Sequence, residues 1–171
     1  MVFKYSAATR YKQRSSTRLL RGVYGSEEDD LFDAYLARYP SAVATLRTAL
    51  SIHGIVDEWL APPFDFCFAK GYRTILDENI AQLRDDNELR LLGAVTMEKD
   101  GITFLCHDPE RLLIELWRRE KRIPLDTFSK ATFWYRERAN AGELNLPLLR
   151  EYISKMPKSH IYFKRLRKEI L

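Results

Sequence analysis

The stretch ALSIHGIVDEW, Ala49 to Trp59, sets His53, Asp57 and Glu58 close together after an apolar run. An imidazole followed four residues later by a carboxylate could hold a metal ion. A metal site needs a third and a fourth ligand, and no neighbouring register supplies them. The reading that fits is punctuation. His53 falls in the last turn of a helix closed by Gly54, where the negative end of the helix dipole favours a cation, and Asp57 and Glu58 fall in the loop beyond.

Other carboxylates have spacings that suggest chemistry. In VYGSEEDDLFD, Asp29, Asp30 and Asp33 follow a Gly-Ser pair, as in polymerase-β-like nucleotidyltransferases. That reaction needs two carboxylates flanking an apolar residue on a strand, so that both reach Mg²⁺. Asp29 and Asp30 are adjacent, would point to opposite faces of a strand, and open a helix instead. Asp65 and Lys70 lie near one strand in partial likeness to a metal-dependent nuclease, without the (D/E)xK triplet that would complete it. No GxSxG occurs; His107 precedes a helix-capping aspartate and His160 lies in a basic helix. The expectation is a protein that is not an enzyme, with no catalytic residue, no metal and no cofactor.

What remains is binding. Of 171 residues, 46% are hydrophobic and 12% aromatic, enough for one well-buried core. The 30% of charged residues net to only +4, which permits contact with a polyanion without demanding it. Their distribution says more. Arg10, Lys12, Arg14, Arg18 and Arg21 occur with no acidic residue among them and are the candidate nucleic-acid contacts. Glu27, Glu28, Asp29 and Asp30 follow at once and are the candidate partner-binding patch, suited to a basic surface. Near the C-terminus, KSHIYFKRLRK sets Lys158, Lys164, Arg165, Arg167 and Lys168 beside Tyr162 and Phe163, which suits phosphate contact and stacking or a plain solvated face.

Cys67 and Cys106 fit no CxxC spacing, so neither a disulfide framework nor a zinc knuckle is expected, and a reducing compartment is the default. No run approaches a membrane span, and residues 1–16 lack the apolar centre of a secretory signal. Residues 1–25 share their Arg- and Ser-rich, acid-free composition with organellar transit peptides and with nucleic-acid-binding arms. The cytoplasm is the expected location.

The elements that must position these residues read as α+β. Residues 1–25 form a basic arm, with STRLLRGVYGS as an extended segment or a pair of short strands, and 26–171 form one domain. A helix from Asp29 or Asp30 ends before Pro40. Ala42, Val43, Leu46, Ala49 and Leu50 then give a helical period up to Gly54. Alternation in PPFDFCFAKG makes a strand with Phe64, Phe66 and Phe68 on one face. Ile75, Leu76, Ile80 and Leu83 are compatible with a helix, and ELRLLGAVTMEKDGITFLCHD is a hairpin around Asp100-Gly101. From Asp108 onward the chain is helical, beginning with an N-cap aspartate and a first-position proline. Further helices run from about Asp126 to Ala141, from Pro147 to Met156, and through KSHIYFKRLRKEIL. The expected fold is thus a small mixed sheet, the aromatic strand plus a hairpin, packed with helices.

Taken in order, the segments RLLRGVYG, YPSAVATLRTALSIHGIVDEW, the aromatic strand ending AKGYR, GITFLCHDPERLLIELWRRE and LDTFSKATFWYRER resemble the AbiE-type antitoxins (AbiEi) of bacterial abortive-infection toxin–antitoxin systems. ALSIHGIVDEW looks like that family's AL..HGL.D helix end, and CHDPERLLIEL like its TSPARTLLDLL segment. The resemblance runs from Leu19 to the C-terminus. It implies an antitoxin domain that antagonises a cognate nucleotidyltransferase toxin, in a family whose N-terminal winged helix represses its own operon. About twenty residues precede RGVYG, too few for a whole winged helix, so the resemblance implies only its wing and exit strand here. The expected partners are the toxin, operator DNA in the alternative reading of a transcriptional regulator, and no membrane. No individual site residue carries over from the family.

Overall fold

Among the first residues described, strands β1 (Thr17–Leu20) and β2 (Val23–Gly25) pair antiparallel, with Arg18 opposite Tyr24. The computed structural model describes residues 17–20, 23–25 and 31–171. Within it, β3 (Val43–Ala44), β4 (Phe64–Ala69), β5 (Ile80–Asp85), β6 (Ala94–Lys99) and β7 (Ile102–His107) make one mixed sheet in the order β5-β4-β3-β7-β6. The helices are α1 (Leu31–Arg38), α2 (Leu46–Ile52), α3 (Asn87–Leu91), α4 (Pro109–Arg118), α5 (Leu125–Asn140), α6 (Leu146–Ser154) and α7 (Ser159–Arg165), the last continued by wider turns over Leu166–Ile170. The fold is α+β, with a helical C-terminal half.

The alternation of β4 decides how the sheet is covered. Phe64, Phe66 and Phe68 meet α1, where Phe32 lies 5.1 Å from Phe64 and 5.9 Å from Phe66 between ring centroids, and Tyr39 meets Phe68 edge-on at 5.6 Å. Such offset and edge contacts suit the ring quadrupoles. Asp65 and Cys67 point to the other face, toward α2 and α4. In α4 the apolar stripe is flanked by further buried residues, with Leu112, Leu113, Ile114 and Leu116 all inaccessible, as befits a helix enclosed on most sides. Its start is capped as the sequence predicts: Asp108 Oδ1 accepts from the Arg111 amide at 2.8 Å.

The β6–β7 hairpin closes on Asp100 and Gly101, at φ 50° and 79°, two successive left-handed residues that match the twist of the flanking strands. Three expectations need correction. Ala42 and Val43 do not belong to the helix; Val43 and Ala44 form β3, held antiparallel to β4 and parallel to β7. The chain enters α2 only at Leu46, at φ 45°. Ile80 and Leu83 lie on a strand, β5, parallel to β4 through six registered pairs from Phe64↔Ile80 to Ala69↔Asp85. Its two buried residues, Ile80 and Leu83, fall on opposite faces at a spacing of three that imitates a helix. Finally, ELRLL is not hairpin strand: Glu88 to Leu91 lie in α3 and Leu92 is its C-cap.

Candidate functional site

The acidic candidates Glu27, Glu28, Asp29 and Asp30 lie outside the described residues, as do Arg10, Lys12, Arg14 and Arg21. Arg18 enters only through its β1 backbone.

The histidine of ALSIHGIVDEW forms the C-cap of α2, and its Nε2 lies 2.8 Å from the His107 carbonyl and 3.6 Å from Cys106 Sγ. A cysteine beside a histidine suggests a nucleophile with its base. Contact with a carbonyl, however, requires Nε2 to carry the proton and donate it, so this nitrogen has no lone pair to take one from the thiol. Burial also pushes the Cys106 thiol up to about 12, with Asp108 adding to the shift, whereas a reactive thiol is shifted down. Cys67 is pushed up to about 12 by burial and then by Asp85 and Glu115. His107 is equally enclosed: Nε2 donates to the Arg90 carbonyl at 3.0 Å and Nδ1 accepts from Thr45 Oγ1 at 2.9 Å. Burial, helped by the nearby Arg111 charge, drives its pKa down to about 4 and keeps it neutral.

Between the sheet and α4 lies a charge network that sequence reasoning missed. Glu115 accepts from Arg111 at 2.6 Å, from Arg119 at 3.0 Å and from Arg118. Asp85, at the end of β5, takes both Arg118 terminal nitrogens at 2.9 Å, with Arg119 Nη2 also at 2.9 Å. Burial alone would raise Glu115, but the arginines, Arg111 foremost, overcome it and hold the group at about 2. Asp85 is lowered in the same way, chiefly by Arg118. Arg111 also donates to the carbonyls of Leu92 and Leu89 at 3.1 Å, which leaves its Nη1 as the buried side-chain polar atom without a partner among the described residues. The available signal was Glu115 itself, a lone carboxylate inside the apolar run LLIELW, four residues after an arginine.

The nuclease-like pair is not assembled. Asp65 Oδ2 accepts from the Arg47 backbone N–H and Nε, both at 3.2 Å, and so anchors the start of α2. Lys70 is exposed and faces Asp86 at 3.5 Å. Among the described residues no three His, Cys, Asp or Glu side chains are grouped to hold a metal ion. Arg111 Nη1 apart, the buried side-chain polar atoms of the described residues all have hydrogen-bond partners.

The outer surface offers a different feature. Glu58 Oε1 accepts from Thr127 Oγ1 at 2.8 Å, and this bond lays the 57–59 loop along the first turns of α5. Trp59, next to Glu58 in the chain, is 95% exposed, and on α5 Leu125 is 80% and Phe133 64% exposed. Leu125 opens α5 close to the Glu58–Thr127 contact, and Phe133 lies about two turns further along the same helix; side chains this open add little to the packing of the core. Asp57, Glu58 and Asp126 give this end of α5 an acidic rim, relieved by Lys130, which pairs with Asp126 at 2.6 Å. The residues singled out as loop punctuation in the sequence thus border the most exposed indole of the fold. A basic depression of about 320 Å³ at Trp117–Arg122 is the second surface feature, but its Arg118 and Arg119 are already committed to Asp85 and Glu115.

No helix among the described residues is long and apolar enough to cross a membrane. No family model matches the chain, and no curated protein matches it.

Proposed function

We propose that the protein is a non-enzymatic antitoxin that neutralises a cognate nucleotidyltransferase toxin by covering part of its surface. The reading joins the resemblance of the ALSIHGIVDEW and CHDPERLLIEL segments to one observation: the exposure of Trp59, Leu125 and Phe133, the first two next to the acidic Asp57, Glu58 and Asp126 where Glu58 meets Thr127. A toxin that handles nucleotides and RNA presents a basic surface, to which Asp57, Glu58 and Asp126 are complementary. The aromatic residues are the anchors, since indole and phenyl groups supply most of the energy at such interfaces.

The test is co-expression with the nucleotidyltransferase encoded beside the gene, scoring growth and co-purification together. Wild type should rescue growth and co-elute. A Trp59→Ser/Phe133→Ser double variant should fold and lose both. Rescue that is indifferent to the double variant, or absent in wild type, overturns the reading. The second reading, a DNA-binding regulator, draws on the acid-free run Arg10, Lys12, Arg14, Arg18 and Arg21. Each phosphate-contacting cation among these that is neutralised should flatten the log–log salt dependence of DNA binding by about one unit.

A further inference from the structure

The C-terminal helices enclose an open cavity of about 440 Å³, lined by Arg150, His160, Phe163, Leu166, Arg167 and Leu171. Its origin is local. Pro157 follows the end of α6, Lys158 takes a left-handed turn at φ 58°, and α7 returns against α6. His160, Phe163 and Arg167 recur at spacings of three and four, which puts them on one side of the helix. Leu166 is fully buried and makes the floor apolar, with Phe163 half-buried beside it.

No acidic side chain is among those that line this cavity. Residues 146–171 hold seven lysines and arginines against two glutamates, Glu151 and Glu169. Both glutamates are engaged elsewhere: Glu151 with Lys155 at 2.6 Å, and Glu169 with Arg165 at 2.7 Å and the Trp117 indole N–H at 3.0 Å. The side chains of Arg150, His160 and Arg167 make no hydrogen bond or ion pair among the described residues. Guanidinium groups with free forks are suited to phosphate, and an apolar floor with a phenyl ring is suited to the face of a base. The volume is that of a small-molecule site.

We propose that this cavity binds a phosphorylated nucleoside, its phosphate held by Arg150, His160 and Arg167 and its base against Phe163 and Leu166. The site is separate from the patch at Trp59 and does not rest on the antitoxin reading. The full chain is titrated calorimetrically with AMP, adenosine, inorganic phosphate and a 5′-phosphorylated tetranucleotide. AMP should bind saturably, at least about tenfold more tightly than adenosine or phosphate, and Arg150→Gln and Arg167→Gln should each weaken it about tenfold, the effect of losing one charge-assisted contact. Phe163→Leu, which keeps an apolar floor, should weaken AMP while leaving phosphate unchanged. Trp59→Ser/Phe133→Ser should leave AMP binding intact, which separates this site from the proposed partner surface. A tetranucleotide that binds more tightly than AMP identifies the end of a strand as the source; equal affinity identifies a free nucleotide. Equal affinity for AMP and adenosine, no saturable AMP binding, or affinities unmoved by both arginine variants overturns the proposal.

Discussion

At the scale of single residues, the interior of this protein uses ionisable groups as fasteners. His107 is the clearest case. Its folded pKa of about 4 lies below the unfolded value near 6.5, so the unfolded chain binds the extra proton first. Its contribution is complete above about pH 6.5 and declines as pH falls toward 4, by on the order of 2 kcal/mol at pH 5. Glu115, held at about 2, loses its own contribution only below its unfolded value near 4.5. Urea midpoints at pH 7 and pH 5 should therefore differ in wild type, and His107→Gln, although less stable at pH 7, should show little of that difference. An equal difference in both proteins would mean that another group carries it. Glu115→Ala should be severe, costing about 3–5 kcal/mol, because three guanidinium groups would lose a shared buried carboxylate. The loss should appear as a lowered urea midpoint at pH 7.

At the scale of elements, α4 is the centre of the fold: it caps on Asp108, donates Arg111 to the carbonyls of α3, and joins β5 through Arg118 and Arg119. The chain between α3 and β6 passes so close to α4 that only glycine fits at position 93. A Cβ there would stand 2.4 Å from Arg111 Cβ and 2.9 Å from Arg111 Cγ, on a backbone at φ 68°. Gly93→Ala combines that clash with a left-handed conformation that alone costs about 1–3 kcal/mol. A thermal melt should show a clearly lower Tm, and amide exchange in β6 should accelerate. A similar change at Gly54, where an added Cβ meets nothing within 4 Å, should carry the backbone cost alone. The comparison isolates the clash.

At the scale of the whole molecule, what faces outward is sorted by chemistry. An acidic-rimmed apolar patch lies where the 57–59 loop meets α5, and a concentration of positive charge lies on α6 and α7. These are suited to different ligands, a protein surface for the first and a phosphate for the second. Because Trp59 and Phe133 are exposed, Trp59→Ser and Phe133→Ser should each shift stability by no more than about 0.5 kcal/mol, while together they weaken partner capture more than tenfold. Stability unchanged with capture lost would place the energy of these side chains in binding. A fall in stability comparable to a core truncation would show instead that they pack.

Much of this protein was legible in its sequence because it is decided locally. The Asp108-Pro109 helix start, the Asp100-Gly101 turn, the aromatic face of β4 and the three final helices each depend on caps, φ preferences or periodicities contained within one segment. The tertiary structure alone decided β3, two residues long, which exists only because β4 and β7 pass on either side. It also decided β5, whose two buried residues lie on opposite faces and so do not show the alternation that marks a strand. The same holds for the sites. The types and order of His53, Asp57, Glu58 and Trp59 could be read directly, but that the imidazole is spent on a carbonyl and the indole left in solvent follows from where β7 and α5 come to lie. Hydrogen-bond partners and exposure are properties of distant segments meeting, and no short stretch of sequence contains them.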